Sequence, residues 1–163
     1  MSPLFAASAY EIVLAVHVMT VVVAFGVTFA YPIMFAVTAR SDPRALPLMH
    51  RVEYTIERTL INPVLGLVLV AGIFLASDGH HWGQFFVAWG VAAVVVIGAV
   101  VGSVLIPTSK RAETTAERDI TASTGDAVEM SEEYRALTRR LQLVGTLLSL
   151  LVLVTILFMV IKP

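Results

Sequence analysis

Two clusters of residues in this chain could carry chemistry. His17-Val18 is followed by Phe25-Gly26 and Tyr31-Pro32 in one long apolar run, and Asn62-Pro63 by Gly72 in the next. A histidine inside a membrane span costs solvation free energy, so it points to a buried ligand or polar partner. Neutral imidazole ligates haem iron, copper and zinc, and helix bundles build such sites from facing helices. His17, Thr20, Ala24, Thr28 and Tyr31 recur at steps of three and four and share one helical face. On that face His17 is the candidate axial ligand of a b-type haem. Thr20 and Thr28 flank the ring, and Ala24 leaves room for it. The same stripe serves equally as a packing face, with threonine hydroxyls bonding back to their own helix.

Copper handling is a third use for these residues. Met19 and Met159 supply soft thioethers, but Met19 is two residues from His17 and points to another face. His80-His81 beside Trp82 reads as an interfacial loop. There is no cysteine, which removes disulfides, thiolate metal sites and iron–sulfur clusters. No nucleophile–base pair, phosphate loop or paired intramembrane carboxylates can be read from the spacing. The catalytic residues, if there are any, stay unassigned.

The elements that hold these residues follow from composition. Hydrophobic residues make up 58% of 163, with a mean hydropathy of +0.86 and only 14% charged residues. A soluble domain of this length could not cover so much apolar surface. Runs at about 12–37, 60–76, 85–106 and 141–161 each reach the ~20 helical residues that cross a hydrocarbon core. Unpaired backbone groups in lipid force each to be helical. The expectation is an all-α integral membrane four-helix bundle, antiparallel and up-down-up-down, forming a single domain over 1–163. No Lys or Arg precedes the first run, and Ala6-Ala7-Ser8 stands before it, so it reads as a span and not as a cleavable signal peptide. A net charge of −1 without a basic stripe argues against nucleic-acid binding.

Orientation follows from the basic residues. Ten of the eleven lie in the 39–59 and 107–140 connections, and the 77–84 loop has none. The positive-inside rule makes those two connections cytoplasmic and puts both termini outside.

The stretch Ser41–Glu57 is amphipathic and is expected on the cytoplasmic surface. There His50, Glu53, Tyr54, Glu57 and Arg58 would form solvated pairs at helical spacing. Asn62-Pro63 suits a helix start, and Pro32 a kink. Gly98 and Gly102 are expected at a helix–helix contact. The fourth helix should begin after Ser131 and run unbroken, with a seam of Tyr134, Leu137, Leu141, Val144, Leu148 and Leu151. Thr114–Asp126 reads as a polar, turn-rich and mobile segment.

The residues resemble a known group. The chain is similar to small four-helix bacterial membrane proteins related to HemJ-type protoporphyrinogen oxidase and CopD-type copper-resistance domains, and most of all to their "predicted integral membrane protein" cousins. His17, Phe25-Gly26, Pro32 and Met34-Phe35 match the first-span pattern; Asn62-Pro63 and Gly72 match the second. The similarity covers roughly residues 12–106. Ala24, Ile33 and Thr38 stand where the HemJ-type pattern has Trp, Arg and His. Its basic residue and histidine of span 3 have no counterpart between Phe85 and Ile106. The resemblance therefore implies the fold, a bacterial inner-membrane location and a haem role for His17, but not the oxidase activity. Three readings stand: a haem b or redox protein, a non-catalytic accessory or structural protein acting through helix faces or its cytoplasmic loop, and a copper-handling protein. Lipid is the one partner common to all three.

Overall fold

The structure, a computed structural model, describes residues 8–123 and 128–163. Among these there is no strand. Four long helices, Ala9–Ser41, Pro43–Asp78, Phe85–Ala122 and Glu132–Ile161, each contain a window apolar enough to cross a membrane. They form the expected four-helix bundle. The connections after Ser41 and after Ala122 lie at one end, here called the basic end; the 79–84 connection lies at the other.

Three of the four helices are interrupted near a proline. In the first, α1 (Ala9–Gly26) gives way to a 3-10 turn, Val27–Phe29, before α2 (Tyr31–Ser41) restarts with Pro32 in its first turn. In the second, α3 (Leu46–Ile56) runs through a π-turn, Glu57–Ile61, into α4 (Asn62–Asp78). The third repeats this with α5 (Phe85–Val100), a π-turn at Val101–Leu105 and α6 (Ile106–Ala122). Proline has no N–H and its ring crowds the carbonyl four residues back; a π-turn just before it absorbs that conflict. Thus the Asn62 N–H bonds to the Glu57 carbonyl, five residues back. The fourth helix, α7 (Glu132–Ile161), has no break.

Asn62-Pro63 opens α4 with the proline in its first turn, as expected, though not as a free helix end, because the π-turn joins it to α3. One expectation is corrected here. Thr114–Ala122 is not a turn-rich segment but the end of α6, while residues 124–126 of the same expectation lie outside the described ones. Extending α6 this far gives the amphipathic α3 a partner to pack on.

The ends are capped by side chains. At Ser8 a reciprocal capping box joins its backbone N–H to the Glu11 carboxylate (2.8 Å) and the Glu11 N–H to its hydroxyl (3.3 Å). Ala6 and Ala7 lie outside the described residues. Ser131 caps α7 as its spacing suggested.

Helix α1 packs on α4, α3 on α6, α4 on α5, and α7 on both α5 and α6. The main core gathers Ala24, Phe25, Leu65, Ile97, Leu141 and Val152 with their neighbours. The anticipated seam on α7 faces it, every member being buried or partly so. A smaller cluster of Ala76, Phe86 and Val87, with Met159 against it, closes the other end. The close approach there occurs at Gly90, where an added Cβ would collide with the Met159 methyl. Gly98 faces Leu65 of α4, with room for a Cβ, as a helix–helix contact; Gly102 opens onto free space, so the expected contact is corrected for Gly102 alone.

Candidate functional site: a buried polar centre at the basic end

Three of the five residues expected to be solvated are buried instead; Tyr54 is half-buried, and Arg58 is exposed as expected. His50 is 1% exposed, and Glu53 and Glu57 are buried with it. His50, Glu53 and Glu57 fall at i, i+3 and i+7, hence on one helical face. That face meets a stripe of α6 in which Ser109, Ala112 and Ala116 are fully covered. Small residues every three or four positions let the two backbones approach, so charged groups of α3 are enclosed and not hydrated.

Hydrogen bonds join three helices at this point, and a ring contact adds a fourth. His50 Nε2 lies 3.0 Å from the Tyr134 hydroxyl of α7 and Nδ1 3.4 Å from Glu53 Oε2. The Ser109 hydroxyl donates to the same Glu53 oxygen at 3.0 Å. Phe35 of α2 covers the imidazole, with ring centroids 4.7 Å apart. The tautomer consistent with these contacts carries the proton on Nδ1, for Glu53, and accepts at Nε2 from Tyr134.

Two members lack partners. Glu57 is 3% exposed and Tyr31 is 8% exposed, and neither Glu57 Oε2 nor the Tyr31 hydroxyl has a hydrogen-bond partner. Tyr31 lies within electrostatic range of both Glu57 and Glu53. A buried polar group without a partner costs ~1–3 kcal/mol, so two on facing elements call for a physical reason. The proline breaks place these groups: Tyr31 precedes Pro32, Glu57 opens the π-turn that leads to Pro63, and Ser109 follows Pro107 by two residues.

Charged residues ring the centre towards solvent. Arg51 Nε donates to Glu113 at 2.6 Å and its terminal nitrogen reaches Glu117 at 3.2 Å. Arg118 bridges Asp119 and Glu133, each at 3.1 Å. Asp119 also accepts the Ser131 N–H at 2.9 Å, tying the start of α7 to α6. Desolvation alone would raise the Asp119 carboxyl, but the Ser131 and Arg118 hydrogen bonds outweigh it and hold it below its ordinary range.

The candidate haem face lies elsewhere in the bundle. His17 is half-buried against the Val68–Gly72 turn of α4, its Nδ1 without a hydrogen-bond partner and a Cβ on Gly72 falling 3.4 Å from the ring. The two sequence clusters singled out at the start thus meet each other. Thr20 bonds back to the Val16 and His17 carbonyls, and Thr28 to that of Phe25. Ala24 is 0% exposed, so the space beside it is filled by core side chains. Met19 faces outward and Met159 sits at Gly90. Among the described residues no three His, Asp or Glu side chains are grouped to hold a metal ion.

Sequence reasoning missed the polar centre because mixed charges at helical spacing usually mean a solvated face. The signal that could have found it was the small-residue stripe from Ser109 to Ala116.

No curated protein and no solved structure matches the chain. The resemblance to HemJ-type and CopD-type proteins gains no support from these comparisons. A family model described as "Predicted integral membrane protein (DUF2269)" matches residues 11–163. Nearly the whole chain is covered, all four apolar helices included, and the chain belongs to the DUF2269 family of integral membrane proteins.

Proposed function

We propose that this membrane protein exchanges protons through the polar centre at its basic end, with Glu57 as the group that takes up and releases the proton. The observation that carries the reading is Glu57 itself: a buried carboxyl with a free oxygen, one helical turn from Glu53 and within electrostatic range of Tyr31. Chains of carboxyl, imidazole and hydroxyl groups inside membrane bundles are the usual material of proton relays. Here the line runs from Glu57 past Glu53 to His50, Tyr134 and, in electrostatic range of Tyr134, the buried Asp119, whose partner Arg118 is exposed to solvent. As Tyr134 gives its proton to His50 Nε2, the Nδ1 proton passes to Glu53. Reversal needs only the opposite transfers. The ten basic residues at this end favour a cytoplasmic location for it, with both termini outside in a bacterial inner membrane.

The test is proton entry into liposomes that hold the protein and a pH-sensitive dye, driven by a potassium diffusion potential. Wild type should acidify the lumen and Glu57→Gln should not. Wild-type flux equal to that of empty liposomes overturns the reading.

Haem b on His17 is the second reading, supported by the unpartnered Nδ1. Against it stands the filled space beside Ala24. Protein expressed with ample haem should then show a Soret band that His17→Ala loses while still folding. A colourless wild type removes this reading and leaves copper handling and a purely accessory role as its rivals.

A further inference from the structure

We infer that Glu53, Glu57 and the Tyr31 hydroxyl together bind a monovalent alkali cation; the inference rests on the reading above only in placing the working site at Glu57. Two carboxyls lie one helical turn apart on this buried face, and among the described residues neither pairs with a Lys or Arg side chain. Glu53 has partners in His50 and Ser109. Glu57 Oε2 and the Tyr31 hydroxyl have none, though both residues are more than nine-tenths buried. A carboxyl so enclosed either keeps its proton or takes a counter-charge when it ionises, and the open donors are all oxygens.

Oxygen-only donors suit hard cations. A divalent ion normally draws on several carboxylates, and no group of three metal-binding His, Asp or Glu occurs among the described residues. A single positive charge is what the Glu57 carboxylate lacks.

The test compares lithium, sodium and potassium chloride with choline chloride at equal ionic strength, using the full chain in detergent. A bound cation stabilises the folded state by mass action, so an alkali ion should raise the thermal midpoint saturably and choline should not. Glu57→Gln should abolish that difference, and Tyr31→Phe should weaken the apparent affinity about tenfold or more. Choline acting as well as the alkali ions overturns the inference, as does a Glu57→Gln protein that keeps the alkali-specific rise. Should Glu57→Gln fail to fold, Tyr31→Phe decides, and unchanged affinity there is fatal. Proton flux without an alkali effect removes the cation alone; an alkali effect without flux keeps this site and removes the proton reading.

Discussion

Tyr134→Phe is the sharpest probe of the polar centre. The substitution keeps the ring, and with it the edge-on contact to His50 at 5.7 Å between centroids. It deletes only the hydroxyl, which lies 3.0 Å from His50 Nε2. Because His50 is 1% exposed, water cannot replace the lost donor. An orphaned buried acceptor costs ~1–3 kcal/mol. At about 2–4 °C per kcal/mol for a chain of this size, the thermal midpoint should fall by about 2–12 °C. Tyr54→Phe is the control, since Tyr54 is half-buried with its ring facing the Lys110 ammonium at 5.4 Å. It should stay within ~0.5 kcal/mol of wild type. The assay is thermal unfolding of the detergent-purified variants, followed by circular dichroism. Equal midpoints for the two variants would refute a satisfied, water-excluded network at His50.

Gly90→Leu should destabilise by ~1–3 kcal/mol, because its side chain enters the space of the Met159 methyl; Gly102→Ala, which faces open space, should be neutral or slightly stabilising in the same melts. Single cysteines at Ser77 and Ser123 should label from opposite sides of intact cells with an impermeant thiol reagent, since the two lie at opposite ends of the bundle. Asp119 is held below its ordinary value of 3.8, so its contribution to stability is full above that value and fades as pH falls through the lowered one. Melts taken from neutral pH into that acid range should show this loss in wild type, and Asp119→Asn should lack that component.

The four spans were legible because hydropathy and length decide them almost alone. Ser131 as the cap of α7 and the Tyr134–Leu151 seam could be read from spacing for the same local reasons. The site was not legible, since its burial depends on where another helix ends. His50, Glu53 and Glu57 look like a wet surface as long as residues 107–122 are taken for a connection between spans. Once α6 continues to Ala122, Ser109, Ala112 and Ala116 cover them. Pro63 shows a related limit: the chain around it signals the start of α4 but not that α3 runs on into it. The π-turn that carries the helix past it is a compromise with neighbours that sequence spacing does not express.

The contrast between α7 and the other three helices has a mechanical consequence. At 1.5 Å per residue its 30 residues make a rod of about 45 Å, longer than a hydrocarbon core. That rod is pinned twice: near its start by Tyr134 on His50, and near its end by Thr155, which receives the Trp89 indole N–H at 3.1 Å. Turning or sliding it would break both pins together. The first three helices each carry a joint beside the polar centre instead. Any movement that opens the centre is therefore taken up by those joints, with α7 as the fixed mast against which they swing.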